Sequence, residues 1–127
     1  MTINWFGVLL GYVVDSLVTT LMLMLMPGDV ATSYVAGPQL SRPEHLLLFI
    51  GSAVSTGIGS YVAGRIGKAD GAVHGALVWA VGIVMLQLEL LGSGDGLPKV
   101  MVLAGALALL LGVAGGWLSR FPQRSVA

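Results

Sequence analysis

Residues 101–118 read MVLAGALALLLGVAGGWL, and the indole of Trp117 is the only polar side-chain group among them. A helix needs about 20 mostly apolar residues to cross the hydrocarbon core of a bilayer. A helix on the surface of a soluble bundle would carry a polar face, and this stretch has none. The stretch therefore predicts a transmembrane helix.

The composition of the whole chain agrees with that prediction. Of 127 residues, 56% are hydrophobic and 9% are charged, whereas soluble domains are about 25% charged. The formal net charge is zero, so there is no excess of positive charge that would attract nucleic acid. The absence of cysteine excludes disulfides, thiol catalysis and iron–sulfur ligation. We expect one transmembrane domain over residues 1–127.

Breaker residues divide the chain into four spans. The first, 3–26, stops at Pro27-Gly28, and the second, 44–66, follows the capping-box spacing Ser41-Arg42-Pro43-Glu44. The third, 71–91, follows Asp70, and the fourth, 97–118, has Pro98 at its start. The predicted fold is all-α, a polytopic membrane protein with four transmembrane helices in an antiparallel bundle. Residues 27–43 form an outer loop in which 30–35 would lie along the membrane surface.

The basic residues predict the orientation. Cytoplasmic loops carry an excess of Lys and Arg, and four basic residues fall on the side of the N-terminus against two on the other. We therefore expect both termini in the cytoplasm and the chain in the bacterial inner membrane. Trp5, Trp117 and Phe121 would form an aromatic belt at the inner interface. The basic residues are Arg65, Lys68, Arg120 and Arg124 against Arg42 and Lys99.

Small residues recur every four positions in the second and fourth spans. Helices in lipid approach closely only where side chains are small, so these ridges predict tight helix packing. They could serve the bundle itself, or one could face another subunit or a second copy. The ridges are Gly51, Ser55, Gly59, Ala63 and Gly67; Ser52, Thr56, Ser60 and Gly64; and Ala104, Ala108, Gly112 and Gly116.

Asp15 lies near the middle of the first span, where a charged carboxylate costs at least a few kcal/mol. No Lys or Arg lies at its depth, so we expect a protonated carboxyl bonded to hydroxyl groups. Ser55 and Thr56 are level with it on the second helix, and Thr19 follows it on its own helix. The group is either an interhelical clamp or a proton or cation relay.

The remaining polar residues suggest no enzyme and no metal site. His45 and His74 could each ligate a pigment or haem, but they open their spans at opposite ends, so one metal cannot bind both. Ser, His and Asp residues do not occur at compatible depths for a nucleophilic triad. We expect no cofactor.

Two stretches resemble a family of small bacterial four-helix membrane proteins of uncharacterised function. The first is Ile3-Asn4-Trp5, followed by residues 8–11 (VLLG) and Val14-Asp15; the second is residues 59–67 (GSYVAGRIG) with 74–78 (HGALV). The family typically has glycine where this chain has Ser60. The resemblance implies a fold and a topology and no activity.

Asp15 with residues 19–22 (TTLM) also looks similar to the first helix of small multidrug transporters, which carry an essential acid there. This chain has Asp in place of their Glu and a much longer outer loop.

The leading hypothesis is a non-enzymatic accessory or structural subunit that packs against other membrane helices. The alternatives are a small proton-coupled transporter acting as a homodimer, and a pigment or haem binder. Lipid and other membrane subunits are the expected partners, and nucleic acid is not.

Overall fold

The computed structural model describes residues 2–68, 70–93 and 99–121, which contain five helices and no strand. The helices are α1 (Trp5–Leu25), α2 (Gly28–Ala36), α3 (Pro43–Gly67), α4 (Gly71–Ser93) and α5 (Lys99–Leu118). All except α2 are long and apolar enough to cross a membrane. Residues 97–98 and Arg124 lie outside the described residues.

Local chemistry sets the helix ends. The Asn4 side chain caps α1 by accepting a hydrogen bond from the Gly7 N–H at 3.0 Å, and α1 ends before Pro27. Pro43 occupies the first turn of α3, as expected. The N-cap residue is Arg42, whose side chain makes no capping bond, so the predicted capping box does not form. α3 ends where Lys68 adopts the left-handed conformation, φ 60°.

α3 is the central helix, because it packs against α1, α4 and α5. Along α1 and α3 the contacting residues run in opposite order, with Gly7 close to Ala63 and Gly11 close to Gly59. α4 and α5 show the same opposite order, from Gly71 with Gly116 to Trp79 with Gly105. The buried core at this packing centre consists of Val8, Ala63 and Val78.

α2 was not predicted as a packed element. The placement of residues 30–35 along the membrane surface stays a prediction; within the protein, α2 contacts both α1 and α3. Val30 is buried and Tyr34 is half-buried. The side of α2 that is not exposed carries Val30, Ala31, Ser33 and Tyr34, whereas Val35 and Ala36 are exposed.

Candidate functional site

The candidate site begins where the backbones of α1 and α3 touch. A Cβ atom on Gly11 would lie 2.5 Å from the Gly59 carbonyl oxygen and 2.8 Å from the Ala63 Cβ. A Cβ atom on Gly59 would in turn clash with the Gly11 carbonyl oxygen. Only glycine permits this approach, and the approach holds the next turn of α1 against α3. That next turn carries Asp15.

The Asp15 carboxyl group accepts hydrogen bonds from both helices. Its Oδ2 accepts from the Thr56 hydroxyl at 3.0 Å, and its Oδ1 accepts from the Thr19 hydroxyl at a longer 3.5 Å. The Thr56 hydroxyl also lies 3.3 Å from the Ser52 carbonyl oxygen, one turn back along α3. Three of the four residues predicted to form the polar clamp or relay are therefore in contact.

Ser55, the fourth, makes different contacts. Its hydroxyl donates to the Gly51 carbonyl oxygen at 2.8 Å and lies 3.8 Å from the Met22 sulfur atom. Successive residues of a helix point about 100° apart. Ser55 and Thr56 are level with Asp15 in depth, but only Thr56 points toward it. The Met22 side chain instead fills the space over Gly51, at the α1–α3 contact.

A cavity of about 300 Å³ adjoins the Asp15 carboxyl group. Its polar wall is formed by α1, α2 and α3, and its apolar wall by α4 and α5. Small residues on α4 and α5 leave the space open. The lining residues are Asp15, Thr19, Tyr34, Ser52, Thr56, Trp79, Gly82, Ile83, Leu86, Met101, Ala104, Gly105 and Ala108.

Two aromatic side chains border the cavity. Trp79 is fixed by a hydrogen bond from its Nε1–H to the Gly105 carbonyl oxygen, at 2.8 Å, which ties α4 to α5. Tyr34 reaches the cavity from α2. Burial raises the pKa of the Tyr34 phenol, and its interaction with the Ser52 hydroxyl acts in the opposite direction. The phenol is therefore neutral near pH 7. Asp15 is the only carboxylic acid among the described residues that line the cavity.

No Lys, Arg or His occurs among the described residues that line the cavity. The carboxyl group of Asp15 thus has hydroxyl partners and no cationic one in that part of the chain. The Asp15 carboxyl group is uncharged when protonated. When it is ionised, a positive charge from a bound ligand would have to offset the cost of the buried anion.

The two histidines have structural partners at both ring nitrogens. His45 Nδ1 accepts from the Gln39 N–H at 2.9 Å, and Nε2 lies 3.0 Å from the Ser33 hydroxyl. His74 Nε2 accepts from the Asn4 N–H at 3.1 Å, and Nδ1 lies 3.1 Å from the Asp70 carbonyl oxygen. Ligation of a pigment or haem would have to break one of these bonds.

The small-residue ridges pack inside the chain. Cβ atoms added at Gly59, Gly67, Gly112 or Gly116 would meet other helices of the same protein, and one on Gly51 would meet Met22. Ala63 and Ser55 are buried, and Ala104 and Ala108 line the cavity. On the neighbouring ridge, the Ser60 hydroxyl donates to the Gly75 carbonyl oxygen at 3.2 Å, and Gly64 faces Ser119. The ridges therefore do not supply a free partner surface.

Sequence reasoning missed Tyr34, Trp79 and the cavity itself. Tyr34 belongs to a segment with no strong hydrophobic period, and the cavity depends on how five helices pack. Among residues 2–68, 70–93 and 99–121, no group of three or more acidic or histidine side chains could hold a metal ion. No protein-family model, curated protein or solved structure matches this chain.

Proposed function

We propose that this chain is an integral membrane protein whose four long helices cross the bacterial inner membrane as an antiparallel bundle. The shortest, α5, has 20 residues and is about 30 Å long at 1.5 Å per residue, which matches the hydrocarbon thickness of a bilayer. Large apolar side chains on the outward faces of the bundle are exposed, among them Leu103 and Leu110 of α5 and Leu17 of α1. Lipid would cover these faces.

We propose that both termini lie in the cytoplasm. The end of α5 combines a basic and an aromatic group as membrane interfaces do. The Arg120 guanidinium lies 5.1 Å from the Trp117 ring centroid, and the Phe121 ring packs edge-on against Trp117 at 4.9 Å. Arg65 reaches the same end of the protein, where it donates to the Ser119 carbonyl oxygen at 3.3 Å.

Within this bundle, the proposed function is proton-coupled binding and transport of a small lipophilic cation. The observation that carries the proposal is the Asp15 carboxyl group at the wall of a cavity without a cationic side chain in its described lining. A cavity of about 300 Å³ is at the lower end of the range of small-molecule sites. Its apolar far wall suits an apolar ligand body.

The chemistry follows from the energy of a buried charge. With no ligand present, a proton keeps Asp15 neutral and avoids the cost of an ion in an apolar setting. A cationic ligand supplies the missing positive charge, so the proton leaves when the cation binds. The Thr56 and Thr19 hydroxyls hold the carboxylate, and the rings of Trp79 and Tyr34 offer faces that attract cations. Binding and proton release are then one exchange, and no covalent catalysis is involved.

Calorimetric titration of the purified protein with tetraphenylphosphonium, a lipophilic cation, tests this proposal. Asp15→Asn keeps the size of the side chain and one acceptor oxygen but cannot become negative. We expect it to weaken binding at least about tenfold, as loss of a charge-assisted contact does. Glu89→Gln is the matched control, because Glu89 is exposed and lies outside the cavity. Equal affinities for the two variants would reject Asp15 as the binding group.

An accessory-subunit function is the second candidate. Its support is an apolar face of α1 with recurring exposed side chains, which a partner helix could cover as well as lipid could. The ridges are not available for that role, since they pack within the chain. A defined stoichiometric partner that protects this face from lipid-soluble labels would favour the second candidate. The exposed side chains are Phe6, Leu9, Val13, Leu17, Leu21 and Met24.

A further inference from the structure

α2 contributes one side chain to the cavity wall. Tyr34 reaches the lining beside Ser52 and Thr19, at the end of the cavity toward the C-terminus of α1. In the proposed orientation this end faces the outside of the cell. Movement of α2 away from α3 would withdraw Tyr34 and open the cavity at that end.

The junctions of α2 leave room for such a movement. Pro27 and Gly28 precede it, and Gly37 and Pro38 follow it. A Cβ atom on Gly28 or Gly37 would meet no atom within 4 Å, so neither glycine is packed against another helix. α2 contacts the rest of the protein only at α1 and α3 among the described helices.

One buried side chain of α3 ties α2 and the following loop in place. His45 is 1% exposed. Its Nδ1 accepts the Gln39 N–H of the loop, and its Nε2 meets the Ser33 hydroxyl of α2. The Tyr34 ring packs edge-on against the imidazole, with centroids 5.6 Å apart. The residue that holds α2 therefore also positions the side chain that lines the cavity.

The hydrogen bonds define the protonation state that this arrangement needs. Because the Gln39 N–H is a donor, Nδ1 must carry a lone pair and the proton must be on Nε2. The Ser33 hydroxyl accepts that proton and donates its own to the Val30 carbonyl oxygen at 3.0 Å. A second proton, taken from water onto Nδ1, would place two N–H donors against each other and break the bond to Gln39.

We propose that α2 is a lid on the Asp15 cavity and that neutral His45 is its latch, so that protonation of His45 releases the lid. This inference rests on the proposed function for the use of the cavity, while the lid movement itself needs no ligand. Acid outside the cell would then open the cavity toward that side, where a proton is available for exchange at Asp15.

The described elements packed around His45 carry the following charged or titratable groups. α2 carries Tyr34 and the exposed Asp29, the loop carries Arg42, whose guanidinium donates to the Ser33 hydroxyl at 3.3 Å, and α3 itself carries the exposed Glu44. The ionisable side chains of α1, Tyr12 and Asp15, are remote, since Asp15 contacts Thr56, about three turns further along α3.

Thiol accessibility in vesicles without any ligand tests the lid. The chain has no cysteine, so a single Ala108→Cys substitution places one reporter thiol in the cavity wall. The rate of its modification by a water-soluble methanethiosulfonate is divided by the rate for an exposed Ala36→Cys control on α2. This ratio removes the effect of pH on the reagent, and the same ratio in His45→Ala at each pH controls for ionisation of the cavity thiol.

With His45 present, we expect the ratio to rise about tenfold between pH 8 and pH 5. His45→Ala should give a high ratio at both pH values. The other histidine, His74, is still present in this variant and should not restore the dependence on pH. If that variant does not fold, Ser33→Ala should raise the ratio at pH 8. A ratio independent of pH with His45 present, or unchanged at pH 8 in the folded variant, would overturn the lid. Failure of cation binding alone would leave this result intact and reject only the proposed function.

Discussion

The contact between Gly11 and Gly59 supports the sharpest stability prediction. In Gly11→Ala the new Cβ would lie 2.5 Å from the Gly59 carbonyl oxygen and 3.0 Å from the Val78 Cγ2. An ordinary contact begins near 3.4 Å. The carbonyl oxygen would therefore have to move by about 0.9 Å, the difference between the two distances. That oxygen belongs to a helix backbone, so α1 and α3 must separate as units.

Gly82→Ala is the matched control. The nearest atom to its new Cβ is the Tyr12 Cε2, at 4.0 Å, so the methyl group meets nothing. Both substitutions change glycine to alanine inside a helix, and the gain in helix propensity, up to about 1 kcal/mol, cancels in the comparison. The remaining difference is the cost of overpacking, typically about 1–3 kcal/mol. We expect about 2–3 kcal/mol, because the clash involves backbone atoms.

Equilibrium unfolding measures this difference. Protein in a mild detergent is unfolded by increasing amounts of sodium dodecyl sulfate, and helix content is followed by circular dichroism. Gly11→Ala should have the lower free energy of unfolding by the amount given above. A difference below about 0.5 kcal/mol between the two variants would show that the backbones of α1 and α3 do not touch at Gly11.

Three further substitutions have defined outcomes. Asp15→Asn should leave the unfolding free energy within about 1 kcal/mol of the parent, because its amide oxygen still accepts from Thr56; loss of folding would show that the ionised acid is structural. Trp79→Phe should lower it by about 1 kcal/mol, since the indole bond to the Gly105 carbonyl oxygen disappears, whereas no change in the unfolding curve would contradict that bond. Ser60→Gly should cost about 1–2 kcal/mol through the lost hydroxyl bond and the helical glycine, and a more stable variant would refute this account of Ser60.

The helices could be predicted because apolar length is a property of the linear chain. The all-helical fold and the four long apolar helices are confirmed. α2 was not predicted because its nine residues have a weak hydrophobic pattern and its packing depends on contacts with two other helices, α1 and α3. Membrane insertion, orientation and the single domain stay predictions.

The candidate site was predictable in part, because the depth of a residue within a span can be counted along the linear chain. Counting residues from the helix ends placed both Ser55 and Thr56 at the depth of Asp15, but it could not tell which of them points toward α1. Rotation about the helix axis depends on the close approach at Gly59, which is a property of the packed pair. The cavity is lined by residues of five helices, so no single segment of sequence predicts it.

The most direct test of the account is the number of protons released when the cation binds. Tetraphenylphosphonium is added to the purified protein in several buffers of different ionisation enthalpy at a pH where Asp15 is protonated, and the calorimetric heats give the proton count. The account predicts about one proton released per cation bound, and Asp15→Asn should abolish that release. Binding of the cation without proton release, or equal release from Asp15→Asn, would contradict the claim that proton and cation exchange at Asp15.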